Sequence, residues 1–134
     1  LGTLLKEGIG DTIRVSLTGK SSDEVIVGKE ILTSLGLMEE GVRIVSCPTC
    51  GRCKTDTLSI VKEIKKKTMH IKKPITVAVM GCAVNGPGEA KEADMGVACG
   101  NGNAVFFEKG KQVTSIKTNE IASFILERIE ERIK

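Results

Sequence analysis

Ile75-Thr-Val-Ala-Val-Met80 runs without a break into Gly81-Cys82, and upstream Val42-Arg-Ile-Val45 runs in the same way toward Cys47-Pro-Thr-Cys50. The first run is nearly all apolar, as expected of a central strand buried on both faces. The second predicts a shorter strand. Between them Asp56 suits the cap of a helix in which Leu58, Val61 and Ile64 repeat at helical spacing, with Lys62, Lys65, Lys66 and Lys67 largely opposite. Pro74 closes that connection. The order is therefore strand, cysteine loop, helix, strand, cysteine loop. If the two strands lie side by side in parallel, Cys47, Cys50 and Cys82 meet just beyond their carboxyl ends, where open α/β sheets usually carry their sites.

Working outward, Asn85-Gly-Pro-Gly-Glu89 predicts a turn-rich loop, followed by one helical turn through Ala93. Met95 to Cys99 and Ala104 to Phe107 are expected to pair across Gly100-Asn-Gly-Asn103, since Asn-Gly favours tight hairpin turns. Lys109-Gly-Lys111 turns the chain into a further strand, Gln112 to Ile116. A last helix after Thr118 aligns Ile121, Ile125 and Ile129, with Phe124 beside them. On the amino-terminal side, Gly8-Ile-Gly-Asp-Thr12 is a turn and Thr12 to Leu17 alternates like a strand. Ser21 and Glu24 have the spacing of a capping box. The helix they would open places Val27, Ile31 and Leu35 on one face and ends at Gly36. The fold class is α/β, a small mixed sheet with packed helices.

The chain has 134 residues, enough for one domain with a real core. Hydrophobic residues at 40% and charged residues at 28% fit an ordinary soluble globular protein. No apolar stretch approaches the roughly 18 residues of a membrane span. The start, Leu1-Gly-Thr-Leu-Leu, lacks the apolar core and cleavage site of a signal peptide. A cytoplasmic chain, cut from a longer one since Leu1 is no initiator, is the expectation. A net charge of +3, three Phe and no Trp or Tyr argue against nucleic acid, which needs a strong basic face or stacking rings. Neither nucleic acid nor a membrane is an expected partner.

Chemistry is concentrated in five cysteines, Cys47, Cys50, Cys53, Cys82 and Cys99. An odd count with no secretory start points to a metal or redox site rather than a disulfide framework. The tight turn of Cys47-Pro-Thr-Cys50 aims two sulfurs inward, and Cys82 adds a third. Zinc and iron–sulfur clusters both take soft thiolates, so spacing leaves that choice open. Cys53 extends the pattern to C-x-x-C-x-x-C, and Cys53 or Cys99 could each complete a fourth position. Cys99 also reads as a small buried residue at a strand end. Glu89 reads, on spacing alone, as a helix-start carboxylate. His70 trails a lysine-rich helix as an exposed end residue. The lysines of residues 62–73 are a solvated face or a docking patch for an acidic electron donor.

Gly8-Ile-Gly-Asp-Thr-Ile-Arg-Val-Ser-Leu17, Ser46-Cys-Pro-Thr-Cys-Gly-Arg52 and Val79-Met-Gly-Cys-Ala-Val-Asn-Gly-Pro-Gly-Glu-Ala90 together resemble one family, the 4-hydroxy-3-methylbut-2-en-1-yl diphosphate synthases of isoprenoid biosynthesis by the methylerythritol phosphate route. The similarity runs through essentially the whole chain. It implies a [4Fe-4S] cluster held by three thiolates and one carboxylate, roles that fall on Cys47, Cys50, Cys82 and Glu89. It implies a two-electron reductive opening of 2-C-methyl-D-erythritol 2,4-cyclodiphosphate with loss of water, with reduced flavodoxin or ferredoxin as donor. A hard oxygen ligand on a thiophilic iron leaves more readily than a fourth thiolate, which opens a Lewis-acidic position for a substrate oxygen. Asn85 is expected either to contact substrate or to shape the Gly-Pro-Gly turn. The cluster domain is expected to resemble those of sulfite and nitrite reductases.

Two departures from that family stand out. Its members are nearly three times longer, with a TIM-type barrel ahead of the cluster domain. Residues 1–38 are expected to be the last strand and helix of that barrel, and residues 39–134 the cluster domain. The barrel carries the basic residues for the diphosphate. In the family's homodimers one subunit's cluster domain closes over the partner's barrel, so this stretch alone is expected to hold a cluster without turning over substrate. The second departure is Cys53, where a non-ligand such as Thr or Ser is expected.

Overall fold

The computed structural model describes residues 1–84, 86–90 and 92–134. Two compact units follow one another, Leu1–Glu40 and Gly41–Lys134.

The first unit holds two helices, α1 (Gly2–Lys6) and α2 (Ser21–Ser34). The expected strand at residues 12–17 does not form. A strand needs a partner for its backbone groups, and this unit contains no other strand. Ile13 and Val15 are half-buried while their neighbours are exposed, and both close over Gly28, where an added Cβ would stand 3.6 and 3.8 Å from them. The capping box fails as well. Lys20 occupies the cap position of α2, and the Glu24 carboxylate reaches past it to accept from the Leu17 N–H at 3.1 Å. The other end follows expectation. Gly36 has φ of +70°, and Gly36 and Leu37 donate to the Thr33 and Leu32 carbonyls, the paired bonds of a Schellman stop.

The second unit is a five-stranded mixed sheet in the order β1 (Val42–Ser46), β2 (Ile75–Met80), β3 (Met95–Cys99), β4 (Asn103–Glu108), β5 (Lys111–Lys117). The first three strands are parallel, and β4 and β5 are added as antiparallel hairpins. Cys99 pairs with Ala104 across the expected turn, with Gly102 at φ +82°. The second hairpin turns on Lys109 and Gly110, both at positive φ, which suits the twist of the flanking strands.

Helices α3 (Thr57–Thr68) and α5 (Ile121–Ile133) cover one face of the sheet. Ile75, Val77 and Val79 of β2 meet Ile64, Ile121, Ile125 and Ile129 there. Asp56 caps α3 through the Ser59 N–H at 3.1 Å. The inward stripe of α3 is shifted from its expected phase. Thr57, Ile64 and Thr68 are buried and Leu58 faces outward, because the Thr57 side chain takes the inward place beside Gly81.

The opposite face carries Ala78, Met80, Ala93, Ala98 and Phe107, and the short helix α4 (Gly86–Ala90) packs against β2 and β3. Of the expected loop, residues 86–89 are thus helical, since Pro is tolerated in a helix's first turn. Beyond α4, the described residues 92–94 are not helical, and Lys91 in the expected helical turn through Ala93 lies outside the described residues. An added Cβ on Gly86 would overlap the Cβ of Ala98, so this glycine lets α4 settle on the sheet. The central strand is buried on both sides as its apolar run implies. Among the described residues no helix is long and apolar enough to cross a membrane.

Candidate metal centre

Register decides where the cysteines fall. Ser46 of β1 lies opposite Val79 of β2 in a parallel pair, so the chain leaves both strands at the same end of the sheet. Cys47 is the residue after β1, and Cys82 lies two residues past the end of β2. The cysteine turn closes with the Cys53 N–H donating to the Cys50 carbonyl at 2.9 Å. The two loops are laced at one peptide unit. The Gly81 N–H donates to the Cys47 Sγ at 3.1 Å, and the Gly81 carbonyl accepts from the Lys54 N–H at 3.1 Å.

A cavity of about 120 Å³ opens between the loops, lined by Cys47, Pro48, Cys50, Arg52, Met80, Cys82 and Gly86. The structure therefore brings the three expected thiols to the lining of one cavity. Cys50 is exposed, and Cys47 and Cys82 are half-buried. The Arg52 N–H and guanidinium beside Cys50 hold its thiol below the ordinary range, favouring the thiolate. Among the described residues no group of three or more His, Cys, Asp or Glu side chains is placed to hold a single metal ion.

The remaining cysteines are placed differently. Cys53 does not line the cavity. Its thiol donates to the Thr55 carbonyl at 3.0 Å and lies 3.9 Å from the Thr57 hydroxyl, packed where a Cβ on Gly81 would stand. Cys99 is fully buried at the end of β3. Burial pushes its thiol up, and the neighbouring sulfurs of Cys53, Cys47 and Cys82 push the same way.

Glu89 is exposed on α4, one helical turn beyond the cavity-lining Gly86, and does not itself line the cavity. Asn85 lies outside the described residues. Sequence reasoning gave no role to Arg52, although a cation two residues after a cysteine is a readable sign of a stabilised thiolate. Gly86 was also missed, since only the packing on Ala98 reveals why a side chain is excluded there.

Comparison with known proteins adds a separate line of evidence. The GcpE protein C-terminal domain family matches residues 43–131. A 4-hydroxy-3-methylbut-2-en-1-yl diphosphate synthase (flavodoxin) of Caldanaerobacter subterraneus subsp. tengcongensis is 55% identical over 134 residues, which is 100% of this chain and 38% of that protein. Proteins of the same name from Clostridium perfringens and Thermodesulfovibrio yellowstonii are 52% and 54% identical over 97% and 96% of the chain, and 37% of each relative is covered. The chain thus spans under two fifths of the length of the curated relatives it matches.

Proposed function

Because the chain belongs to the family of the GcpE protein C-terminal domain, we propose that it is the cluster-holding part of a 4-hydroxy-3-methylbut-2-en-1-yl diphosphate synthase. In this reading Cys47, Cys50 and Cys82 are the thiolate ligands of a [4Fe-4S] cluster and Glu89 is its oxygen ligand, with Asn85 close to the substrate. The observation that carries it is the convergence of three thiols on one cavity at the carboxyl ends of parallel strands. Three thiols lining one cavity are soft donors of the kind a thiophilic metal group takes. Cys53 fits the role of non-ligand, since its thiol is turned beneath Gly81 and bonded to the Thr55 carbonyl.

When bound, such a cluster supplies electrons and an iron able to polarise a substrate oxygen. The chain's own residues do the rest. Arg52 keeps Cys50 disposed to ionise. Gly81 binds the Cys47 sulfur. Gly86, free of a side chain, brings α4 and with it Glu89 down toward the sheet. Glu89, exposed one turn beyond the cavity-lining Gly86, would be the residue to supply an exchangeable oxygen ligand to such a cluster.

The wider reading follows from the family. Residues 1–38 belong to the end of a barrel whose remainder holds the diphosphate substrate, the cyclodiphosphate named above, and residues 12–17, which form no strand here, would become its final strand once a neighbouring strand offers a partner. The barrel of a partner subunit faces the cluster in a homodimer, and residues 39–134 alone carry the cluster. The donor is a reduced flavodoxin, the protein that the relatives' names carry, or a ferredoxin, and the setting is the cytoplasm.

The test is anaerobic reconstitution with iron and sulfide, followed by Mössbauer spectra of the wild type and Glu89→Ala. One iron in four is expected to carry a distinct signature that disappears in Glu89→Ala. Four equivalent thiolate-ligated sites would instead mean an all-cysteine electron carrier. Stoichiometric zinc in protein prepared without oxygen would overturn the assignment.

A further inference from the structure

Gly81 is held from three sides. Its N–H donates to the Cys47 sulfur at 3.1 Å. Its carbonyl accepts from the Lys54 N–H at 3.1 Å. Its Cα rests on Cys53, whose sulfur fills the position of a missing Cβ, with Thr57 Cγ2 3.2 Å and Cys53 Cβ 3.4 Å from that position. The Cys53 thiol is itself anchored, its hydrogen donated to the Thr55 carbonyl at 3.0 Å and the Thr57 hydroxyl 3.9 Å away. Thr57 is buried. Lys54 and Cys53 are adjacent in sequence, so one short segment grips both the carbonyl and the Cα of Gly81.

We propose that Cys53 is a positioning residue, a clamp that fixes the Gly81 peptide so that its N–H stays aimed at the Cys47 sulfur. The inference rests on the cluster reading above for its redox consequence, while the clamp itself is independent of that reading. A thiolate ligand that accepts an N–H bond has part of its charge neutralised, and this favours the more negative, reduced state of a cluster. Cys53 thereby acts on a cluster without touching it. Its position in the C-x-x-C-x-x-C run, which on spacing alone suggests a ligand, serves packing instead.

The experiment combines a double-mutant cycle with measurements on reconstituted protein. Gly81→Ala places a Cβ into the Cys53 sulfur and is expected to destabilise the chain in urea unfolding. In Gly81→Ala/Cys53→Ala the obstructing sulfur is gone, and much of that loss is expected to return. Additive effects in the cycle would overturn the clamp, whether or not the wild type takes up a cluster. In reconstituted protein, Cys53→Ala is expected to keep the wild-type iron and sulfide content with a more negative reduction potential. Cys53→Ser, which retains a donor of similar size, is expected to restore the potential. Loss of iron from folded Cys53→Ala would make Cys53 a ligand and refute the proposal. An unchanged potential in Cys53→Ala would refute its redox consequence. A wild type that couples Gly81 to Cys53 in the cycle yet binds no iron would overturn the cluster reading and leave the clamp standing.

Discussion

The Gly81 N–H lies 3.1 Å from the sulfur of Cys47, and that bond depends on the register of two strands. Parallel pairing sets Ser46 opposite Val79, which leaves Cys47 level with Met80 and within reach of the next amide. A slip of one residue would move Cys47 by roughly 3.3 Å along the strand, out of hydrogen-bond range. The unequal faces of β2 oppose such a slip, because it would exchange Ile75, Val77 and Val79, which pack with α3 and α5, for Ala78 and Met80 on the opposite face. The core that stabilises the sheet thus also sets the distance between the two cysteine loops.

Packing at Gly86 should be as sensitive as that at Gly81. The Cβ of Ala98 occupies the space an alanine side chain would need at this position, so Gly86→Ala must lift α4 or shift β3. Overpacking of this kind costs about 1–3 kcal/mol. Urea unfolding is expected to show a loss of that order, and Ala98→Gly in the same chain should recover part of it. Equal stability of Gly86→Ala and the wild type would mean that α4 is not seated on β3.

Asp56 links the start of α3 to pH. Its side chain accepts from the Ser59 hydroxyl and N–H, which holds its carboxyl below the usual range. The folded-state pKa is therefore depressed, and the stabilisation is present above the unfolded value of about 3.9. It is lost as pH falls through the lower folded value. Wild type should exceed Asp56→Ala in stability at neutral pH, and the gap should close as the solution is acidified below about pH 4. A gap unchanged down to the acid transition would mean that the charged cap contributes nothing.

Legibility of the sequence divides along physical lines. Strand β2 was readable because a continuous apolar run has few other uses in a short chain, and the cysteine loops were readable because they follow strand ends directly. The hairpin at residues 100–103 was readable from its Asn and Gly. The segment at residues 12–17 misled because alternation reports a half-buried face and not a pairing partner, and its actual cover is Gly28 of α2. The capping box misled because Glu24 found a backbone donor further back, at Leu17. For the site, spacing could not separate Cys53 from the other thiols. That distinction arises from the contact between Cys53 and Gly81, residues far apart in sequence, which no local pattern encodes.

Cys99 offers a pH dependence of the opposite sense. It is fully buried beside Val97 and Val79 in the core, and burial pushes its thiol above the ordinary value of about 9. Between those two values the unfolded chain releases a proton that the folded chain keeps, so stability falls as pH rises. Cys99→Ala should cost about 1–2 kcal/mol near neutrality through the lost packing. That cost should shrink above about pH 9, as the wild type loses the advantage of its neutral buried thiol. A difference that stays constant from pH 7 to 10 would show that Cys99 does not titrate differently on unfolding.

Arg52 and Cys50 give the most direct chemical test of the site. The thiol of Cys50 is exposed, and its lowered pKa comes first from the backbone N–H of Arg52 and then from the Arg52 side chain. Only the thiolate attacks an alkylating agent, so the alkylation rate reports the ionised fraction. In cluster-free reduced protein, Cys50 should react with iodoacetamide near neutral pH faster than the half-buried Cys47 and Cys82, and much faster than Cys99. Arg52→Gln keeps the backbone donor and removes the guanidinium, so the thiol pKa should rise part of the way and the rate at Cys50 should fall. The pH profile separates this from a change in exposure. A pKa effect moves the midpoint of the rate curve upward and leaves the plateau at high pH nearly in place, whereas occlusion lowers the plateau. Peptide mapping of the alkylated cysteines over pH 6 to 10 would distinguish them, and an unmoved midpoint in Arg52→Gln would assign the lowered pKa to the backbone amide alone.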